Sequence, residues 1–172
     1  MPSGKTIPII AFAGRANSGK TTLIEKVVSA FAKQGLRVTV IKHTHHPIDV
    51  DVPGKDTHRH TRAGAKSVIL ASPARLAMVK DTPGGFSLDD IITRYVDDAD
   101  LVIVEGFKSA PVPKIEVYTR SSGEAPLYVS GDSLYIALAT DDDLDAAIPK
   151  FKRDDAEAIA GFISMRILKG NG

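Results

Sequence analysis

The chain has no cysteine, and this absence excludes several kinds of chemistry together. Disulfides, thiolate zinc sites, iron–sulfur clusters and thiol nucleophiles all need cysteine, so histidine is left as the main soft metal ligand. No apolar run approaches the roughly 18–20 residues that span a bilayer. The apolar stretch 7–13 resembles a secretory signal only superficially, because it contains Pro8 and runs directly into a glycine motif. We therefore expect a cytoplasmic protein that does not bind a membrane.

The chain also lacks an excess of either charge, with 22 lysine and arginine residues against 21 aspartate and glutamate residues and a formal net charge of +1. No global field recruits nucleic acid, so any site for a polyanion must be local. Apolar residues form 43% and charged residues 25% of the chain, which is typical of folded globular proteins. At roughly 100–200 residues per domain, the length predicts a single domain over residues 1–172.

The first 41 residues predict a strand, a helix and a second strand. The segment 7–13 is short and apolar, which is typical of a strand buried on both faces. Apolar residues then recur with helical spacing from Leu23 to Phe31, and Gly35 closes this helix. A second strand over 36–41 completes a βαβ unit, which implies a parallel pair of strands.

Later elements are predicted from the same periodicities. A short polar helix is expected over 56–63. A further helix is expected over 87–96, with Ser87 as its N-cap and Asp90, three residues later, at the second position of a capping box. Asp154 is expected to cap a last amphipathic helix. Further strands are predicted at 67–71, 76–80, 101–104, 115–118 and 135–139, the first two forming a hairpin through Pro73.

Residues 14–21 fit the phosphate-loop pattern G-x-x-x-x-G-K-S/T in full, between a predicted strand and a predicted helix. Gly14 and Gly19 allow the backbone to curl so that consecutive N–H groups face an anion at the helix N-terminus. Lys20 supplies a point charge for the β and γ phosphates, and Thr21 offers a hydroxyl to Mg²⁺. The predicted fold is therefore an α/β, three-layer P-loop NTPase fold, with a mainly parallel central sheet flanked by helices and an antiparallel extension.

A nucleotide site of this type also needs an acidic residue near the metal, at the end of a neighbouring parallel strand. Glu105 follows the apolar run 101–104 and takes this place, although aspartate is more usual there. Lys20 and Glu105 are accordingly the candidate catalytic residues, and Thr21 and Glu105 are the candidate metal ligands. The alternative is that Glu105 merely ends a strand.

All five histidines lie between positions 43 and 60, in a stretch with no clear periodicity. One interpretation is a metal site, for which the ligands would be His45, His46, Asp49 and Asp51. A second is anion binding, because cations crowd the same stretch at Lys42, Lys55, Arg59 and Arg62. The third is a solvated loop without a ligand.

Several segments in this order resemble the molybdopterin-guanine dinucleotide biosynthesis protein B family, called MobB. The resemblance runs from about Ile7 to Ala139, and the lysine-histidine-threonine-histidine-histidine segment is more specific than the phosphate loop alone. Its segments are the phosphate loop, Lys42-His43-Thr44-His45-His46, the pair Asp49 and Asp51, Pro53-Gly54-Lys55-Asp56, Ala63-Gly64-Ala65 and Val104-Glu105-Gly106-Phe107-Lys108.

The resemblance implies a GTP-binding homodimer with weak GTPase activity that assists the guanylyltransferase joining GMP to molybdopterin. It implies that Mg²⁺ is held at Thr21 and Glu105. The implied phosphate-binding residues are Gly14, Asn17, Ser18, Gly19, Lys20, Thr21 and Thr22. The residues implied to face the phosphate or pterin side are Lys42, His43, His45 and Lys108.

Two departures from related patterns limit what the resemblance implies. The sequence has no Asn-Lys-x-Asp motif for recognising guanine. The nearest candidate is Asp141, which follows the predicted strand 135–139 and could accept hydrogen bonds from the N1–H and the amino group of the base. The alternative for Asp141 is a helix cap or a plain turn. Arg15 stands where MinD-like relatives carry a lysine that reaches a partner's nucleotide, a match of one position.

Two other function classes remain open on the residues alone. In a small-molecule kinase, Arg59 and Arg62 would form a lid over the transferred phosphoryl group. In a metal-chaperone GTPase, His45 and His46 would bind Ni²⁺ or Zn²⁺. For the accessory protein that the resemblance implies, we expect slow hydrolysis of GTP, because neither a water-orienting glutamine nor an arginine finger is evident.

Overall fold

The computed structural model of the chain describes residues 7–44, 46, 48 and 52–169. Its contacts divide these residues into two compact units. The larger unit comprises the described residues up to His43 and from Ile92 onward, and the smaller comprises those from Thr44 to Ile91. Whether both belong to one domain over residues 1–172 stays a prediction.

The larger unit is built on a six-stranded sheet in which every pair of neighbouring strands is parallel. Its strands are β1 (Ile9–Ala13), β2 (Val38–Lys42), β5 (Leu101–Glu105), β6 (Lys114–Val117), β7 (Tyr135–Ala139) and β8 (Lys150–Phe151). They lie in the order β2-β5-β1-β6-β7-β8, so strands distant in sequence lie side by side. Because the strands are parallel, their carboxyl ends meet at one edge of the sheet, where such folds bind ligands.

Two helices pack with this sheet in a single apolar core. Helix α1 (Lys20–Lys33) buries a stripe that includes Leu23, Val27 and Phe31, as its i, i+4, i+8 spacing predicts. Helix α4 (Ala156–Ile163) contributes its own apolar side chains to the same cluster, and one π-helical turn over Ser164–Leu168 continues it. This core fixes the N-terminus of α1 beside the end of β1.

A buried carboxylate connects the sheet to an irregular segment of the chain. Glu116 on β6 is 1% exposed, and its two oxygens accept backbone N–H groups from Leu127 at 2.7 Å and from Tyr128 at 3.0 Å. These two residues begin a 3₁₀ turn over Leu127–Ser130, so the carboxylate caps N–H groups that have no partner inside such a turn. Glu116 therefore holds this segment in place.

The smaller unit contains a short helix and an antiparallel hairpin. Helix α2 (Asp56–Arg62) has no buried side chain. Strands β3 (Ser67–Ser72) and β4 (Arg75–Lys80) form a separate two-stranded sheet, turning through Pro73 as predicted. Apolar side chains on this hairpin are exposed, among them Ile69 and Leu76.

The predicted fold class is confirmed, with a mainly parallel sheet, helices and an antiparallel extension.

The predicted capping box forms just before helix α3 (Leu88–Tyr95). The Ser87 N–H donates to the Asp90 carboxylate, and the Asp90 N–H donates to Ser87 Oγ at 3.1 Å. The predicted cap of the last helix is wrong by one residue. The Asp155 side chain, not that of Asp154, accepts the Ala158 N–H at 3.1 Å.

None of the described helices combines the length and the apolar character needed to cross a membrane.

The capping role of Glu116 predicts a large effect from a small substitution. Glu116→Gln keeps the size of the side chain but has only one acceptor oxygen, so one of the two backbone N–H groups loses its partner. We expect the free energy of unfolding to fall by about 2 kcal/mol, measured by urea denaturation. Glu25→Gln, at an exposed position of α1, is the matched control and should change stability little. Equal stability of the two variants would contradict the capping role.

Candidate phosphate-binding site

The predicted phosphate loop lies between the end of β1 and the start of α1. Helix α1 begins at Lys20, with Gly19 at its N-cap in the left-handed region, at a φ of 90°. Asn17 also has a positive φ of 59°, which is uncommon for a residue with a side chain. These conformations curl the backbone at the N-terminus of a 14-residue helix. Such a terminus favours an anion through its N–H groups and its dipole.

Gly14 occupies a position with no room for a side chain. A Cβ on this residue would lie 2.4 Å from the Val117 carbonyl oxygen and 2.9 Å from Ser18 Oγ. Val117 is the last residue of β6, the strand beside β1. The glycine therefore permits the loop to turn closely over the end of the neighbouring strand.

The Lys20 ammonium group lies against the inside of this loop. It donates to the carbonyl oxygens of Arg15 at 2.6 Å and Gly14 at 3.3 Å. Burial lowers the pKa of Lys20, Glu105 opposes this effect, and the cations Lys108 and Lys42 lower the pKa further. Among the described residues, Lys42, Lys108 and Glu105 thus act on the charge of Lys20, and a bound polyanion would stabilise the three lysines.

Thr21 and Glu105 meet across the sheet edge, although 84 positions separate them in sequence. The Thr21 hydroxyl donates to Glu105 Oε1 at 2.8 Å, and the other carboxylate oxygen lies 3.5 Å from Lys42 Nζ. Lys42 and Glu105 are register partners on β2 and β5, which explains their proximity. A hydroxyl and a carboxylate are hard oxygen donors of the kind that Mg²⁺ prefers, so this pair fits a magnesium site.

The segment after β5 is held tightly against the end of β2. His43 donates its backbone N–H to the Glu105 carbonyl at 2.8 Å, and a Cβ on Gly106 would lie 2.9 Å from the His43 carbonyl oxygen. The rings of His43 and Phe107 are 4.1 Å apart. Phe107 has a φ of 47°, a strained conformation for an aromatic residue that is typical of functional sites. Lys108 follows it and is exposed.

Asp141 lies after β7, beside a cavity of about 270 Å³ bounded by residues 140–143 and 150–152. Its carboxylate accepts the backbone N–H of Arg153 at 3.0 Å and the side-chain Nε–H at 2.7 Å. Arg153 Nη1 also donates to the Ser18 carbonyl at 3.2 Å. Asp141 is thus connected to the phosphate loop through one arginine. Its role as an acceptor for guanine stays a prediction.

The remaining predicted residues lie in different parts of the chain. Ser18 is buried in the loop, whereas Thr22 is exposed on α1. Arg59 lies in the smaller unit, where it pairs with Asp56 at 3.7 Å. In the part of the chain that the structure describes, no group of three or more histidine, aspartate or glutamate residues is arranged to hold a metal ion. The predicted residues outside the described ones are His45, Asp49 and Asp51.

The sequence patterns do not predict Arg153 as part of the site. Strand β8 has only two residues, too few for any periodicity, so nothing marks Arg153 as lying just beyond a strand end. Arg15 has a partner within the chain, since its Nη2 lies 2.5 Å from Glu124 Oε2. Its proposed contact with a second subunit stays a prediction.

Comparisons with known proteins agree with this geometry. A family model described as molybdopterin guanine dinucleotide synthesis protein B, MobB, matches residues 9–141. The chain is 38% identical over 174 residues to the molybdopterin-guanine dinucleotide biosynthesis adapter protein of Escherichia coli, with 99% of each chain covered. It is 42% identical over 135 residues to the protein of the same description from Haemophilus influenzae, covering 78% of this chain and 75% of the relative.

The fold is also similar to that of solved structures. A crystal structure of molybdopterin-guanine biosynthesis protein B superposes with a TM-score of 0.72 and 33% sequence identity. The match covers 91% of this chain and 98% of that one.

The tight packing at Gly14 predicts that one methyl group disables the loop. Gly14→Ala places a Cβ against the Val117 carbonyl and must displace the loop, so affinity for Mg²⁺-tripolyphosphate should fall at least about 10-fold, measured by calorimetric titration. Gly84→Ala is the matched control, because a Cβ there meets nothing within 4 Å. Unchanged affinity in Gly14→Ala would show that this loop is not the anion site.

Proposed function

The chain belongs to the MobB family, molybdopterin guanine dinucleotide synthesis protein B, and from this membership we propose that it binds GTP as an accessory protein in molybdenum cofactor guanylylation. The relatives that match over most of their length are described as adapter proteins of molybdopterin-guanine dinucleotide biosynthesis. On this proposal the chain assists a molybdopterin guanylyltransferase rather than catalysing the transfer itself.

The observation that carries the proposal is the convergence of charge on the curled loop. Lys42 and Lys108 both act electrostatically on Lys20, which itself lies inside the loop. Among the described residues, the Glu105 carboxylate offsets part of this positive charge, since it contacts Lys42 and raises the pKa of Lys20. The triphosphate of a nucleotide supplies the negative charge that such a cluster lacks, and the α1 N-terminus adds hydrogen-bond donors.

Thr21 and Glu105 are the residues that would hold Mg²⁺ with the nucleotide. When bound, the ion neutralises charge on the β and γ phosphates. Lys20 then supports the same phosphates from the loop, and Glu105 orients the Thr21 hydroxyl and Lys42. Gly14, Asn17, Ser18, Gly19 and Thr22 contribute loop backbone and hydroxyl groups.

We propose that the chain hydrolyses GTP only slowly. Fast hydrolysis requires a group that orients water, often a glutamine. The only glutamine in the sequence is Gln34, at the C-cap of α1, and 14 helical residues place it about 20 Å from the loop. No glutamine is therefore available within the chain to orient the attacking water.

Guanine selection is assigned to Asp141 at the cavity beyond β7. A carboxylate accepts the N1–H and the 2-amino group of guanine together, whereas adenine offers no such pair of donors. The cavity lies at the carboxyl edge of the same sheet as the loop, the side on which parallel sheets bind ligands. His43, Lys42 and Lys108 are left to face the phosphate or a pterin ligand such as molybdopterin, together with His45.

The exposed hairpin supports a homodimer. Ile69, Leu76 and Met78 share one face of β3 and β4 by their alternation and register, and all three are exposed. Two-stranded sheets are marginally stable alone. Within the described residues neither strand has a second partner strand, so a hairpin from a second copy can cover the face or extend the sheet.

Calorimetric titration of the purified chain with Mg²⁺-GTP, Mg²⁺-ATP and Ni²⁺ tests the proposed nucleotide site. We expect GTP to bind more tightly than ATP. Lys20→Ala should weaken GTP binding about 10- to 100-fold, because a charge-assisted contact to phosphate is lost. Lys26→Ala, on the exposed surface of α1, is the matched control and should bind normally.

Each alternative function class predicts a different experimental result. Stoichiometric Ni²⁺ binding that is lost in a variant with alanine at positions 45 and 46 would favour a metal chaperone. Release of ADP that requires an added acceptor would indicate a kinase. Equal GTP affinity in Lys20→Ala and Lys26→Ala would contradict the assignment of the triphosphate to this loop.

The dimer proposal predicts that a charge on the hairpin face separates the subunits. Leu76→Glu should weaken self-association at least about 10-fold, since burying an unpaired carboxylate is unfavourable. Analytical ultracentrifugation over a range of concentrations measures this. The control Val129→Glu introduces the same charge at an exposed apolar residue outside the hairpin. A monomeric parent chain, or equal association of both variants, would refute the hairpin interface.

A further inference from the structure

Arg153 joins two parts of the site that are distant in sequence. Its backbone N–H and Nε–H both donate to Asp141, at 3.0 and 2.7 Å, while Nη1 donates to the Ser18 carbonyl at 3.2 Å. The same Nη1 would lie 3.5 Å from a Cβ on Gly19. One side chain therefore touches both the phosphate loop and the acidic residue at the cavity.

We propose that Arg153 is a positioning residue that fixes the Asp141 carboxylate relative to the phosphate loop, so that the cavity bounded by residues 140–143 and 150–152 selects guanine. This inference rests on the proposed GTP binding. It identifies Asp141, held by Arg153, as the group that makes the nucleotide site specific for guanine. Arg153 acts through Asp141, and no contact with reacting atoms is assigned to it.

The geometry of Asp141 leaves acceptor capacity for a base. Each of its oxygens accepts one hydrogen bond from Arg153, and an ionised carboxylate offers about four acceptor positions in all. The backbone N–H of Arg153, followed by its side chain, holds the pKa of Asp141 below its usual value, although desolvation works in the opposite direction. Asp141 is thus kept as an ionised acceptor beside the cavity.

Arginine suits this role because its guanidinium group is planar and carries donors that point in different directions. Nε–H is directed at Asp141 while Nη1–H is directed at Ser18, so the relative position of the two groups is fixed by one rigid plane. A lysine has one nitrogen on a flexible stem and cannot reproduce that spacing. Replacing the guanidinium group should therefore weaken the preference for guanine more than it weakens phosphate binding.

The test compares Arg153→Gln and Arg153→Lys with the parent chain, titrated with the Mg²⁺ complexes of GTP, ITP and inorganic tripolyphosphate. ITP lacks the 2-amino group of guanine, and tripolyphosphate lacks the base. Arg166→Gln is the matched control, because it removes the same charge from an exposed position beyond α4. Thermal unfolding of every variant shows whether the fold is kept.

The parent chain should bind GTP about 10-fold more tightly than ITP, because one hydrogen bond to a charged acceptor changes the affinity by about that factor. In both Arg153 variants this ratio should fall to about 1 while tripolyphosphate affinity changes less than about 3-fold. Arg166→Gln should retain the ratio of the parent chain. Asp141→Asn combined with Arg153→Gln should give no further loss of the ratio, because the two residues act as one unit.

An unchanged GTP-to-ITP ratio in both Arg153 variants overturns the inference and leaves the proposed function standing. Equal losses for GTP, ITP and tripolyphosphate also overturn it, because they indicate support of the loop alone. A parent chain that binds tripolyphosphate but does not distinguish GTP from ITP overturns base selection by Asp141, and with it the inference. A parent chain that binds none of the three ligands overturns the proposed function itself.

Discussion

The site depends on one close approach between two backbones, that of Gly14 to the Val117 carbonyl oxygen. A side chain at position 14 would meet this oxygen at 2.4 Å, so the loop takes its shape only because glycine lies there. β1 and β6 are neighbouring parallel strands, so their ends are held in register by the sheet. The curvature of the loop is therefore fixed by packing within the chain, and such preorganisation lowers the entropic cost of binding.

The parallel sheet then brings chemically different groups to the same edge. The Thr21 hydroxyl reaches Glu105 from the start of α1, and Lys42 reaches it from the adjacent strand. The lowered pKa of Lys20 reflects burial together with the other two lysines, an arrangement that is unfavourable without an anion. A local excess of positive charge, in a chain whose formal net charge is only +1, therefore supports the proposed binding of a polyanion.

Local patterns predict the position of those parts of the candidate site that are local in sequence. Glycine spacing indicates the loop at 14–21, and a pure apolar strand indicates that Glu105 lies at a strand end. The contact between Thr21 and Glu105 depends on the strand order β2-β5-β1-β6-β7-β8, which periodicity does not encode. Arg153 could not be predicted, because a two-residue strand gives no periodic signal and its partners Asp141 and Ser18 are distant in sequence.

We propose that the backbone between Gly14 and Thr22 is a preshaped site for a triphosphate. A crystal structure of the chain grown with Mg²⁺ and a non-hydrolysable GTP analogue would locate the bound phosphates. We expect phosphate oxygens bonded to the N–H groups of this loop, with the Lys20 ammonium turned from the Arg15 carbonyl to the phosphates. An analogue bound elsewhere, with Lys20 still bonded to that carbonyl, would refute the proposed site.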